Sequence, residues 1–141
     1  MEMQADPLAF SLDPRLEADT QHLLDLPLCR LLLMRDARWP WLILVPRRAG
    51  IVELFDLAEG DRSSLLTETT QVARALSRAS APEKINVGAL GNVVRQFHLH
   101  IVARSSGDPN WPKPVWGFES AIPYPPGADE ALVRSVLEGL A

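Results

Sequence analysis

Apolar residues recur with helical spacing in the middle of this chain. The stripe consists of Leu65, Thr69, Val72, Leu76 and Ala79. Its steps of four and three residues predict one long helix over residues 59–80, packed along a single face.

Short apolar runs on both sides of this helix predict strands. Residues 28–34 and 41–45 are separated by a turn-like RDARWP segment and predict a β-hairpin closed by Pro46. Residues 84–90 and 93–104 resume strand character around a Gly-Asn turn. Strands surrounding one main helix indicate an α+β fold.

The two ends of the chain predict further helices. Asp13-Pro14 is a good helix opening and starts a helix that should end before Pro27, with His22 on it. Residues 105–126 hold many prolines and should form a packed loop. A last amphipathic helix carries Leu132, Val133, Val136, Leu137 and Leu140 on one side.

Size and composition limit the possible classes of protein. The chain has 141 residues, 47% of them apolar, and we expect a single domain over 1–141, with a core over about 10–117 and a C-terminal tail and helix over 118–141. A net charge of −4 gives no general attraction to nucleic acid. With one cysteine, no secretion signal and no membrane-spanning run, a soluble cytoplasmic protein is expected.

The strand 93–104 carries two histidines separated by one residue. Alternation along a strand places Gln96, His98 and His100 on one face and Phe97 on the other. Backbones of neighbours on one face lie about 6.5 to 7 Å apart, so both imidazoles can reach one phosphate-sized group or one metal ion. Two interpretations stand at this point: a solvated sheet face, or a binding site.

The residues before the strand favour a site. Asn86, Gly88, Gly91 and Asn92 are small or hydrogen-bonding, and glycines let backbone N–H groups approach a ligand closely.

Two blocks of sequence resemble the histidine triad family. The first is N-x-G-x-x-G-N-V-V-x-Q-F-H-L-H-I-V-A-R, and the second is LILVPRRAGIVELFDL over residues 42–57. The likeness covers roughly residues 10–117. PNWPKPVWG and LLMRDARWPW resemble a bacterial subgroup similar to diadenosine tetraphosphate hydrolases. The resemblance implies an antiparallel sheet of about five strands with one long helix and flanking terminal helices.

The resemblance also implies an enzyme that attacks the α-phosphate of a nucleotide conjugate or dinucleoside polyphosphate. His98 matches the nucleophile, which would form a nucleotidyl-histidine intermediate, and His100 matches a donor to a phosphate oxygen. Gln96 stands at the position of the first motif histidine. No cofactor or resident metal is implied, and family members are commonly homodimers.

The resemblance further assigns binding roles. Asn86 matches a residue that reaches the phosphates, and the backbone of Gly91, Asn92 and Val93 matches the phosphate loop. Asp36 lies where relatives hold the ribose hydroxyls.

Three departures from the family pattern concern the leaving group. Gln96 cannot shuttle a proton, Trp41 replaces a fourth histidine, and Val93 replaces a hydroxyl residue. Loss of proton transfer costs about 10²- to 10⁴-fold in rate. An alternative is therefore a catalytically weak nucleotide-binding or sensor protein. A metal site on His98 and His100 is a further alternative, although no third ligand is evident.

Several other residues are not assigned to the site. Arg47 and Arg48 follow a strand, where a basic pair either steers a polyphosphate tail or, more commonly, is simply solvated. Arg104 is expected at the surface. Trp111 and Trp116 are expected either to cover the nucleotide pocket, to line a dimer seam or to pack the core.

Overall fold

The computed structural model describes residues 9–141, which form five strands and three α-helices. In chain order the elements are α1 (Pro14–Asp19), β1 (Thr20–Asp25), β2 (Cys29–Met34), β3 (Trp41–Pro46), a 3₁₀ turn (Leu54–Asp56), α2 (Glu59–Ser80), β4 (Lys84–Gly88), β5 (Leu99–Arg104) and α3 (Glu130–Leu140).

The strands form one antiparallel sheet in the order β1-β2-β3-β5-β4. The predicted hairpin is confirmed as β2 and β3, which pair from Cys29 opposite Pro46 to Leu33 opposite Leu42. The predicted α+β fold, with about five antiparallel strands and one long helix, is confirmed as well.

The two faces of this sheet are covered by different material. On one face, here called the helix face, α2 and α3 pack on strand residues such as Leu31, Leu44 and Ile101. On the other, the cleft face, Leu32, Ile43 and Val102 pack against residues from α1 and from the proline-rich tail. His100 pairs with Ile43 and therefore projects to the cleft face.

Helix α2 confirms the predicted long helix at its predicted bounds. Its apolar stripe buries Leu65, Val72 and Leu76 on the helix face. One buried residue of this helix is charged: the carboxylate of Glu68 accepts hydrogen bonds of 2.8 Å from the backbone N–H groups of Leu28 and Cys29. These bonds attach the middle of the helix to the start of β2.

The predicted first helix is too long. Asp13 caps α1 as expected, its carboxylate accepting a 2.8 Å bond from the Arg15 N–H, but the helix ends at Asp19 and the chain continues as strand β1. Pairing of Thr20–Asp25 with β2 stabilises this segment as a strand, and this stabilisation is larger than the weak helical preference that its spacing indicates. His22 consequently lies exposed on an edge strand, 2.9 Å from Asp25.

The predicted histidine strand is also too long. Strand β5 begins only at Leu99, and β4 ends at Gly88. The backbone N–H of Phe97 bonds to the Ile51 carbonyl, 2.8 Å away, instead of to a neighbouring strand. Residues 89–98 therefore form a loop, so Gln96 and His98 are not held by sheet geometry.

Arg104 is 1% exposed, so the expected surface position is wrong. Its guanidinium donates to Asp108 at 2.7 and 2.8 Å and to the Lys113 carbonyl at 2.7 Å. It also lies 5.8 Å from the ring of Trp39 and 5.6 Å from that of Trp111. These contacts fix the tail, which then places Val115 and Trp116 on the cleft face.

No helix within residues 9–141 is both long enough and apolar enough to cross a bilayer.

Candidate active site

His98 and His100 meet at one end of the cleft face. Their ring centroids are 4.9 Å apart, edge to face, and the residues are 7% and 5% exposed. The interpretation as a solvated face is therefore wrong: these imidazoles are mostly buried, both border one cavity, and His98 also borders a second.

The tautomer of His98 follows from one hydrogen bond. Nδ1 lies 2.7 Å from the backbone carbonyl oxygen of Gln96. Because a carbonyl only accepts, Nδ1 carries the proton, and Nε2 of the neutral ring holds a free lone pair. Nε2 bonds to no other group within residues 9–141. His98 thus has an unoccupied nucleophilic nitrogen beside the cavities.

His100 has the opposite arrangement. Its Nδ1 accepts a 3.0 Å hydrogen bond from the indole N–H of Trp41, so the proton of the neutral ring is on Nε2. Burial, together with the neighbouring His98, lowers the pKa of His100 from 6.5 to about 3. The ring is therefore neutral at physiological pH, and Nε2–H is a donor.

The larger cavity, of about 460 Å³, is mainly apolar. Its walls include Leu16, Met34, Ile43 and Trp116, and both histidines border it. Asp19 is the one carboxylate among the lining residues. Such walls suit the apolar part of a small molecule.

The smaller cavity, of about 270 Å³, is polar. It is bordered by the loop 89–92, by Glu53 and by Arg95. His98 and the residues Leu90, Gly91 and Asn92 border both cavities. Gly91, with φ of 75°, adopts a left-handed conformation that favours glycine. The predicted loop and the predicted nucleophile therefore come together, and Val93 also borders the larger cavity.

Gln96 does not face either cavity. Its side-chain oxygen accepts a 2.8 Å bond from the Asp13 N–H, and its amide nitrogen donates to the Ser11 carbonyl at 2.9 Å. Both polar atoms of the side chain are thus used to attach the N-terminal segment to the loop. The structure does not bring this predicted catalytic residue to the reacting position.

Asp36 lies outside the cavities as well, and it is 1% exposed. Its carboxylate accepts from the Arg38 guanidinium at 2.8 Å and from the Ile122 N–H at 3.3 Å. Burial alone would raise the pKa of this carboxyl, but the bonds from Arg38 and Ile122 lower it overall. This ion pair leaves the carboxylate without access to a ribose.

Asn86 lies on β4 opposite Val102, on the cleft face, but borders neither cavity. The ring of Trp116 lies against Gly88 and forms the wall beside this strand.

Arg47 and Arg48 are bound to protein groups away from both cavities. Arg47 donates to the Leu26 carbonyl, and Arg48 forms an ion pair with Asp61, 2.9 Å away.

Several lining residues were not anticipated from the sequence. Arg15 and Asp19 belong to a segment whose predicted helix continued past them, and Met34 and Ile43 were predicted only as strand residues. The signal that could have found Met34 and Ile43 is strand alternation, because Ile43 pairs with His100 and so shares its face.

Comparison with known proteins assigns the class. The model of the HIT domain family matches residues 15–107. Since this is well over half of the chain, the protein belongs to the HIT domain family.

One set of curated relatives has a stated activity. An AP-4-A phosphorylase from Mycobacterium tuberculosis is 33% identical over 76 residues, which are 50% of this chain and 38% of that protein. The match thus spans well under half of the relative.

Solved structures match over nearly the whole chain. A histidine triad protein from Sinorhizobium meliloti 1021 is 50% identical with a TM-score of 0.93, covering 96% of this chain and 100% of that chain. A histidine triad protein from Bradyrhizobium japonicum is 41% identical with a TM-score of 0.92, covering 94% and 98%. These similarities support the fold described above.

Proposed function

We propose that this protein is a nucleotide hydrolase or nucleotidyl transferase that attacks an α-phosphate through His98. The observation that carries the proposal is the bond between His98 Nδ1 and the Gln96 carbonyl, which leaves Nε2 free at the junction of the two cavities.

The reaction has two balanced steps. In the first, the Nε2 lone pair forms an N–P bond while the bond from phosphorus to the leaving-group oxygen breaks, and that oxygen keeps the electron pair. The ring then carries a positive charge, which the Gln96 carbonyl stabilises through the Nδ1 proton. In the second, water or another acceptor attacks phosphorus, the N–P electron pair returns to Nε2, and the acceptor loses a proton to solvent.

The two cavities suggest where the substrate lies. The nucleoside occupies the apolar cavity, with Asp19 beside the ribose hydroxyls in place of the occupied Asp36. The backbone N–H groups of the loop 91–93 and the Nε2–H of His100 contact the α-phosphate. Further phosphates extend toward Arg95 in the polar cavity.

The surroundings of His98 favour a leaving group that needs no proton. Gln96 is engaged with the N-terminal segment, and His100 stays neutral with Trp41 as its donor. A polyphosphate or a nucleotide departs as a stable anion, so dinucleoside polyphosphates are the proposed substrate class. The stated activity of the mycobacterial relative supports this class.

The test is incubation of the purified protein with diadenosine tetraphosphate, with and without inorganic phosphate. A hydrolase releases adenosine monophosphate, whereas transfer to phosphate yields adenosine diphosphate. His98→Ala should abolish either product, and His22→Ala, on the exposed edge strand, should not. Equal turnover by the parent and by His98→Ala would contradict the proposal.

A second candidate is a nucleotide sensor, which is favoured by the engagement of Gln96 with Asp13 and Ser11. It predicts calorimetric binding of a nucleotide with no turnover above that of His98→Ala.

We also propose a homodimer that continues the sheet across β4. This strand is one edge of the sheet, and it carries Val87, which is 50% exposed. Val87→Lys should convert a dimer to a monomer in sedimentation measurements, whereas a sedimenting monomer in the parent would exclude this assembly.

A further inference from the structure

We propose that Trp41 is a positioning residue whose indole N–H fixes the tautomer of His100, so that Nε2–H of His100 always points to the cleft. The consequence for catalysis rests on the function proposed above, whereas the tautomer itself does not.

The contact allows only one assignment of protons. Trp41 lies on β3, and its Nε1 is 3.0 Å from Nδ1 of His100 on β5. An indole nitrogen donates and never accepts. The Nδ1 atom must therefore hold the lone pair, and the neutral imidazole must carry its proton on Nε2.

The indole is held in this orientation from several sides. Trp41 is 5% exposed and packs edge-on against Trp39 and Trp116, at centroid distances of 6.0 and 6.5 Å. Trp116 also lies 5.4 Å from the His100 ring. A close-packed side chain of this size keeps one rotamer, so the donor stays in place.

The result is a pair of neighbouring imidazoles with opposite tautomers. The Gln96 carbonyl leaves a lone pair on Nε2 of His98, and Trp41 places a proton on Nε2 of His100. The pair offers one nucleophile and one donor within a centroid distance of 4.9 Å. Without the indole donor, both tautomers of His100 are accessible, and one of them directs a lone pair at an anionic phosphate.

The test replaces Trp41 with 3-benzothienylalanine, which keeps the bicyclic shape but has sulfur in place of N–H. Long-range ¹H–¹⁵N correlation spectra then report which ring nitrogen of His100 carries the proton. The parent should show protonated Nε2 only, and the Trp41 analogue should show a mixture of tautomers. Formation of the nucleotidyl-His98 adduct should slow in proportion to the lost fraction of the Nε2–H tautomer, up to the roughly 10²- to 10³-fold that complete removal of an oxyanion donor costs.

Trp39 provides a matched control. Its indole N–H also makes a 3.0 Å bond, to the Pro109 carbonyl, and it is 1% exposed. The same replacement there should leave the His100 tautomer and the adduct rate as in the parent.

Two outcomes overturn the inference: an unchanged His100 tautomer in the Trp41 analogue, or a changed tautomer with an unchanged adduct rate. A parent protein that transfers no nucleotide would refute the proposed function instead, and the spectra would still show whether Trp41 fixes the ring.

Discussion

The helix face and the cleft face of the sheet are stabilised in different ways. Regular helices with an apolar stripe cover the helix face, whereas α1 and an irregular tail cover the cleft face. The irregular cover is held by polar side chains, including the buried Arg104 and Asp36 and the partly buried Gln96. The site therefore depends on hydrogen bonds that the hydrophobic core alone cannot replace.

The largest expected effect comes from removing the cation that holds the tail. Arg104→Met removes the guanidinium that pairs with Asp108 and leaves the Lys113 carbonyl without this donor, and should lower the free energy of unfolding by about 3–5 kcal/mol. Chemical denaturation measures it. Arg30→Met, at the more exposed ion pair with Asp25, should cost only about 0–1 kcal/mol. Equal costs for the two variants would contradict the importance assigned to Arg104.

A substitution that creates a cavity in the core on the helix face should lower stability without changing nucleotide binding. Leu76→Ala should lower the free energy of unfolding by about 2–5 kcal/mol, because Leu76 is completely buried on the apolar stripe of α2. Nucleotide affinity, measured by calorimetry well below the unfolding temperature, should stay unchanged. Leu66→Ala on the same helix, where Leu66 is 69% exposed, should change stability by less than about 0.5 kcal/mol. Weaker binding by folded Leu76→Ala would mean that the two faces are coupled.

Substitution of Gln96 should lower stability by less than the two variants above, but it should also lower the affinity for nucleotide. Gln96→Met removes both bonds to the segment 11–13 and should cost about 1–3 kcal/mol. That segment leads into α1, which carries Asp19 at the apolar cavity, so nucleotide affinity should fall too. Gln71→Met, at an exposed position on α2, is the control. Parental affinity in Gln96→Met would show that the segment does not order the cavity wall.

The smallest effect concerns the pH dependence of stability. The pKa of His100 is lowered from 6.5 to about 3 in the folded protein, so the unfolded chain takes up its proton first as the pH falls. The stabilisation that depends on neutral His100 is therefore complete above pH 6.5. As the pH falls below this value, the free energy of unfolding decreases by up to about 1.4 kcal/mol per pH unit. His100→Gln should flatten the dependence of unfolding free energy between about pH 6 and 5. Identical slopes in parent and variant would contradict the assignment.

The comparison of faces also explains what the sequence could predict. Periodicity identified α2 and the β2–β3 hairpin, because these elements bury a repeating pattern against one face. It failed at β1, where six residues with partial helical spacing pair with β2. Short segments carry weak periodic signals, so their partners in the sheet decide their structure.

The histidine motif identified the family and the approximate site, but not the partners of its polar residues. Gln96 bonds to a residue 83 positions away, and Asp36 bonds to the N–H of Ile122, 86 positions away. Such contacts leave no local pattern. The positions of these side chains could therefore not be read from the spacing of the motif.

Gly88 on β4 has a consequence for ligand size. A methyl group built on it would lie 3.3 Å from the outer edge of the Trp116 ring, closer than ordinary packing permits. The missing methyl lets the indole lie directly against the strand, whereas a larger residue would displace it by a few tenths of an ångström. Because this indole is a wall of the apolar cavity, the absence of a side chain on an edge strand contributes to the width that remains for a ligand.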